Sequence, residues 1–334
     1  MAILVTGAAG FIGSHVSEQL LHRGHEVVGL DDLSGGFRDN VPRGARLVEG
    51  SLLDTALLAE LFTAHRITHV FHLAAYAAEG LSHFIRRFNY INNVVGSMNV
   101  LNEAIKAEVR CFVFTSSIAV YGAGASPLRE SMTPAPEDPY GIAKYAVEMD
   151  LRAAHRLFGL DSIVFRPHNV YGERQHIGDR YRNVIGIFMS QLMRGEPMTI
   201  FGDGTQTRAF SYIGDVAPLI ADAIDVPAAL NQTFNVGADE PTTVNELAAR
   251  VARAMGPMGP MGKDARVTHL DARHEVQHAV ADHSKLEEAF GYRAKWTLDR
   301  GLERMAEWAM RVGPREASRP GDLEIVKHLP ASWR

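Results

Sequence analysis

Cysteine is nearly absent from this chain: 334 residues contain one, Cys111, inside an apolar run. A single thiol cannot form an internal disulfide, which fits a reducing compartment, and a cytoplasmic location is expected. Long hydrophobic runs are also missing. None approaches the roughly 20 residues that a membrane-crossing helix needs, so no membrane partner is expected. Blocks of basic residues are missing too and the formal net charge is −5, which argues against a nucleic-acid partner. The opening "MAILVTGAAG" has no basic start, so no secretory leader is expected. Histidine, cysteine and carboxylate residues do not recur at metal-ligand spacing, and no metal is expected. Internal repeats and low-complexity tracts are likewise lacking. What remains is an ordinary composition, 46% hydrophobic and 22% charged, long enough for two core-bearing lobes.

The first half alternates short apolar runs with helical patterns. The runs are "ILVTG" (3–7), "EVVGLDD" (26–32), "ARLVEG" (45–50), "HVFHLAA" (69–75), "CFVFTSS" (111–117) and "SIVFRPHNVYG" (162–172). They show little polar alternation, as expected of strands covered on both faces. Helical patterns lie at 12–23, 54–64, 89–107 and 139–158. Repeated strand–helix–strand units predict an α/β fold with a doubly wound parallel sheet, of the Rossmann type. After about residue 172 the rhythm breaks into shorter elements, with helices at 183–194, 243–255, 283–290 and 298–311 and a Gly/Pro-rich stretch "GPMGPMGKD" as the best linker candidate. The expected division is a first domain over 1–172 and a smaller C-terminal α/β lobe over 173–334, with about 210–237 returning to the first sheet.

"VTGAAGFIGSH" places Gly7, Gly10 and Gly13 between the first strand and a helix. Gly7 permits a tight turn, Gly10 lets backbone approach a pyrophosphate and Gly13 lets helix pack on strand. The helix N-terminus attracts phosphate charge. The second strand ends in Asp31-Asp32, and an acid there can accept from a ribose 2′-hydroxyl while repelling a 2′-phosphate, which favours NAD over NADP. The plain alternative is a structural turn with two turn aspartates.

"PYGIAK" puts Tyr140 four residues before Lys144, on one helix face with Cβ atoms roughly 6 Å apart. A tyrosine acting as a base near pH 7 must fall about three units from its reference pKa, or roughly 4 kcal/mol. One cation about 4 Å away at an effective dielectric near 20 contributes on the order of that much before desolvation is subtracted. Lys144 could supply part, and a bound nicotinamide cation more. Such pairs are common on helices and mostly ordinary. This one gains weight from "FTSSIAVYG", which places Ser117 where ligands bind in such sheets. Asp138 and Glu137 read as helix-start residues, and Met255, Met258 and Met261 as loop or packing residues.

The chain resembles the extended short-chain dehydrogenases/reductases, and within them the NAD-dependent nucleotide-sugar epimerases and dehydratases. The resemblance is carried in order by "VTGAAGFIGSH", "LDDLSGG", "HLAA", "INNVVGS", "FTSSIAVYG", "PYGIAK", "RPHNVYGERQ", "IFGDGTQTRAFSYIGDVA" and "FNVG". It implies that Tyr140 removes a sugar hydroxyl proton, Lys144 lowers its pKa and holds the nicotinamide ribose, and Ser117 binds the reacting oxygen. It implies an NAD site lined by Gly7, Gly10, Phe11, Ile12, Gly13, Asp31, Asp32, Gly35, Gly36, Ser51, Leu52, Leu73, Ala74, Ala75, Asn93, Thr115, Tyr140, Lys144 and His168. The nucleotide sugar would lie on Ser117, Tyr140, Asn169, Asn183, Val184, Thr199, Phe201, Arg208 and Arg273, with Arg208 on the diphosphate. A homodimer through 89–107 and 139–158 is implied as well. The chain departs from the pattern at Ser51 and Ala209, where the family often carries Asp, and at "DARHEV", which reads one residue short and displaces the arginine, Arg273.

Dehydratases of this family carry an acid pair after the catalytic hydroxyl residue; here Ile118 and Ala119 stand there and offer no titratable group. That implies the simplest cycle: oxidation at carbon 4, rotation of the keto-sugar and return of hydride, a 4-epimerase on a UDP-hexose or UDP-uronic acid. A dehydratase, or a net oxidoreductase, is the alternative. His168 and His176 leave open an extra proton donor near the nicotinamide.

Overall fold

The computed structural model describes residues 2–124, 126–179, 181–256, 266–272, 277–315, 323–330 and 333. The first half runs β1 (Ala2–Thr6), α1 (Phe11–His22), β2 (Glu26–Asp31), β3 (Arg46–Glu49), α2 (Thr55–His65), β4 (Ile67–His72), α3 (Glu79–Ser82), α4 (Arg86–Tyr90), a π-helical turn (Ile91–Val95), α5 (Gly96–Lys106), β5 (Cys111–Thr115), a 3-10 turn (Ile118–Tyr121), α6 (Pro139–Phe158) and β6 (Ser162–Pro167). The second half runs β7 (Val170–Tyr171), α7 (Val184–Met193), β8 (Met198–Phe201), β9 (Thr207–Ala209), β10 (Ser211–Tyr212), α8 (Ile213–Asp222), β11 (Gln232–Val236), β12 (Pro241–Thr243), α9 (Val244–Met255), β13 (Val267–Leu270), β14 (His278–Ala279), α10 (Ser284–Phe290) and α11 (Leu298–Val312).

Seven strands form one parallel sheet in the order β11-β6-β5-β4-β1-β2-β3. Reading outward from β1 this is the doubly wound order, and it puts the strands' C-terminal ends along one edge. The lack of alternation in the strands has a direct cause. Val113 packs in the apolar cluster on one face of the sheet, while Phe112 and Phe114 pack in the cluster on the other. β11 pairs with β6, so the chain's second half contributes to the sheet. The smaller sheets β13-β8 and β12-β9-β14 lie beyond it.

Two expected elements are interrupted. The helix expected over 89–107 arrives as α4, the π turn and α5; Asn92 Nδ2 donates to Phe88 O at 2.9 Å and Asn93 is drawn to Tyr76, which breaks the regular ladder. The strand expected over 162–172 ends at Pro167, which has no N–H to donate, and Asn169 turns the chain with φ +42°. Most of the linker candidate, with Met258 and Met261, lies outside the described residues; Met255 is in the core.

Candidate functional site

A cleft of about 2560 Å³ opens along the C-terminal edge of the sheet. That is larger than the usual 300–1,000 Å³ of a single small-ligand site and leaves room for two ligands. At one end, α1 follows directly on β1. No side chain caps its first turn and no acid occupies it, so the positive end of the helix faces the cleft. Gly13 is required there, because a Cβ would sit 2.0 Å from the Gly7 carbonyl oxygen. Asp31 is buried and accepts from Ala9 N at 3.0 Å and Leu33 N at 2.8 Å, with burial pushing its carboxyl above the ordinary range. Asp32 is exposed and closes a turn onto Ser34. The two acids therefore differ: Asp31 organises the glycine loop, and Asp32 is a turn residue on the rim.

In the middle of the cleft stand Ser117, Tyr140 and Lys144. Asp138 caps α6 by accepting from Gly141 N at 2.9 Å, and Pro139 opens the helix. Gly141 is small because the Ala119 carbonyl packs where its Cβ would lie, at 2.6 Å. This contact holds the turn after Ser117 against the helix that carries Tyr140. Burial raises the Tyr140 phenol above its ordinary value, and a hydrogen bond from Ser117 opposes that rise. Lys144 Nζ donates to the Thr115 carbonyl at 2.8 Å, and burial lowers it to about 7. Lys144 directs its ammonium to β5 and lies 5.8 Å from the centre of the Tyr140 ring, so the two side chains do not by themselves bring the phenol down to neutral pH. The Thr115 hydroxyl is buried and has no partner.

At the far end, Asn169, Asn183, Val184, Thr199, Phe201 and Arg208 all line the cleft. Asn183 caps α7 by accepting from Ile185 N at 2.9 Å and donates to Val170 O at 2.9 Å, so its side chain is committed to backbone. Arg208 donates to Thr207 O at 2.8 Å. Arg273 lies outside the described residues.

Of the expected cofactor residues, Gly7, Gly10, Phe11, Ile12, Gly35, Gly36, Ser51, Leu52, Leu73, Ala74, Ala75 and His168 line the cleft as well. Asn93 is set behind the cleft wall. It is buried behind the loop after β4, accepting from Tyr76 N at 2.8 Å and donating to Tyr76 O and Asn89. It positions that loop and does not face the cleft. His168 is buried between the Ala209 carbonyl and His283, whose other nitrogen meets Asp239 at 2.6 Å. Burial lowers His168 to about 3, so it stands neutral. Sequence reasoning missed Tyr76, Glu79, Arg182 and Trp333, which also line the cleft. Tyr76 and Glu79 follow β4 at the ligand edge, where the topology alone points. Trp333, packed on Gly80 and Tyr181, had no sequence signal. Among the described residues, no cluster of His, Cys, Asp or Glu could hold a metal ion, and no helix is long and apolar enough to cross a membrane.

Residues 3–237 match the model of the NAD dependent epimerase/dehydratase family. The chain belongs to this family. A UDP-glucose 4-epimerase of Mycolicibacterium smegmatis is 35% identical over 318 residues, covering 92% of this chain and 98% of that one. The structure of a Thermotoga maritima UDP-glucose 4-epimerase with UDP-glucose superposes with TM-score 0.87 at 35% identity, over 93% of this chain and 99% of that one. A Streptomyces venezuelae dTDP-glucose 4,6-dehydratase, crystallised with NAD, superposes with TM-score 0.84 at 29% identity, over 93% and 97%. Epimerases and dehydratases of the family thus share this backbone, and the reaction has to be read from side chains. The residues of this chain fit NAD: the uncapped α1 end for the pyrophosphate, Asp31 beside the glycine loop, and the partnerless Thr115 hydroxyl in the cleft.

Proposed function

We propose that this family member is a nucleotide-sugar 4-epimerase that uses NAD catalytically, acting on a UDP-hexose or UDP-uronic acid. The observation that carries the reading is the cleft wall around Tyr140. Ser117, Tyr140 and Lys144 converge there, and Ile118 and Ala119 beside them provide neither an acid nor a base. Gly7, Gly10, Gly13, Asp31 and Thr115 would hold the dinucleotide. When bound, NAD supplies the hydride acceptor and a positive ring beside the phenol. Tyr140 takes the proton from the carbon 4 hydroxyl, Ser117 holds that oxygen, and Lys144 steadies the phenolate. Thr199, Phe201 and Arg208 hold the nucleotide, with Arg208 on the diphosphate. Residues 1–172 then serve the cofactor and 173–334 the sugar nucleotide, with about 210–237 returning to the sheet. Incubation of the purified protein with a panel of UDP-, dTDP- and GDP-sugars tests this. Interconversion of a pair differing at carbon 4, without net NADH, is expected; release of stoichiometric NADH contradicts it.

The protein is a homodimer in this reading. Ile91, Val95, Ile142 and Met149 are 38–54% exposed on the π turn and α6, an apolar stripe on the surface. Light scattering should give a dimer mass at micromolar concentration, and a monomer mass contradicts the assignment. Buried, unpaired Cys111 suits a reducing cytoplasm.

A further inference from the structure

Besides Tyr140 and Lys144, α6 carries a buried acid, Glu148, beside the site. Tyr140, Lys144 and Glu148 follow one another at four-residue spacing on α6, so they share one face. The end of β5 and the two residues after it lie against that face. The Thr115 carbonyl accepts from Lys144 Nζ at 2.8 Å, the Ser116 hydroxyl donates to Glu148 Oε1 at 2.5 Å, and Ser117 lines the cleft with Tyr140. Arg166 on β6 holds the Glu148 carboxylate from the other side in a bidentate pair, Nε at 2.9 Å and a terminal nitrogen at 2.5 Å. Ser116, Lys144, Glu148 and Arg166 are each no more than 3% exposed. A buried ion pair is weak evidence for stability, because desolvation consumes most of its attraction. Its place directly beneath the reacting groups points to another use.

We infer that Glu148 is a positioning residue for the reaction: it pins Ser116, and with it Ser117, against α6, and it keeps a proton on Lys144. The inference rests on the reading of Tyr140 as the base. The charged and titratable groups around Lys144 are few. Tyr140 and Glu148 lie on α6, His72 faces it from β4, and Arg166 stands on β6 behind Glu148; the Phe114 ring and Thr115 carbonyl of β5 complete its surroundings. His72 sits neutral between the Thr6 and Ser97 hydroxyls, lowered by burial to about 3. Glu148 is therefore the carboxylate that opposes the loss of the Lys144 proton in this shell. For Tyr140 and Lys144 together, phenolate with ammonium competes with phenol with neutral amine at the same net charge. Glu148 is one helical turn from Lys144 and two from Tyr140, so its charge favours the first, productive form.

Glu148→Gln keeps the shape and an acceptor for Ser116 and removes the charge. In the holoenzyme, kcat at its plateau should fall about tenfold, the equivalent of one pKa unit, with KM for the UDP-sugar nearly unchanged. The acid limb of the kcat profile should move to lower pH, because the pair then loses its first proton from Lys144. Glu148→Gln leaves Arg166 unpaired, so Glu148→Gln/Arg166→Gln is measured beside it and is read in its place should the single variant not fold. A slow double variant with the same shift supports the inference. Parental kcat and pH profile in the folded single variant overturn it. Recovery of both in the double variant also overturns it, since Glu148 would then only neutralise Arg166. So does a lower kcat with an unmoved limb. Tyr140→Phe in the same assay separates the two readings. Retained turnover there overturns the assignment of the base, whereas a dead Tyr140→Phe beside an unaffected Glu148→Gln overturns only the role of Glu148.

Discussion

The two ends of the cleft are built differently. The end proposed for the cofactor is made by backbone and by short contiguous stretches: the glycine turn after β1, the acid ending β2, the "HLAA" run ending β4. The end proposed for the sugar nucleotide is assembled from side chains on α7, β8 and β9, from the loop after β4, and from Trp333 near the end of the chain. A backbone-made site tolerates few substitutions and imposes glycines at set spacing. A side-chain-made site can change one ligand at a time, and it is there that members of one family, sharing one backbone, would part in substrate and reaction.

The largest expected effect falls between the two ends. Tyr140→Phe should lower kcat at least about 100-fold, the usual worth of a positioned general base, while titration calorimetry still finds the UDP-sugar bound. Near-normal turnover would remove Tyr140 from the mechanism. Asp31→Ser tests the cofactor end. Asp31 is buried against the glycine loop, so its loss should reduce the preference for NAD over NADP about tenfold, on the order of one charge-assisted hydrogen bond. Asp32→Ser should change that preference least, because Asp32 is an exposed turn residue. Cofactor-binding measurements on stripped protein compare them, and equal effects would break the distinction between the two acids.

The same contrast explains what was legible before the structure. The doubly wound sheet follows from six apolar runs and the helices between them, and the glycine loop follows from spacing alone. Ile118 and Ala119 could be read because they adjoin a strand end whose neighbours carry hydroxyls. The motif around Asn93 records proximity to the loop after β4 without recording which way the side chain faces; the π turn aims it at Tyr76. The Tyr140–Lys144 spacing was read correctly as a shared face, but the partner of the ammonium, a backbone carbonyl, leaves no trace in a sequence. Glu148 needs both β5 and β6 in place before its role is visible, since Ser116 and Arg166 lie 32 and 18 residues away.

The central claim is that nothing happens to the keto-sugar except rotation and return of hydride. It rests on the untitratable Ile118 and Ala119 beside Ser117, and it is tested against Glu79, an acid that lines the same cleft. Substrate carrying deuterium at carbon 4 is converted and the epimer examined by NMR and mass spectrometry, with a parallel reaction in deuterated water. The label should stay at carbon 4 of the epimer, and no solvent deuterium should enter carbon 3 or carbon 5. Solvent deuterium at either carbon, or a 4-keto-6-deoxy product, would show that another group in the cleft, Glu79 foremost, moves protons on carbon, and would contradict the epimerase reading.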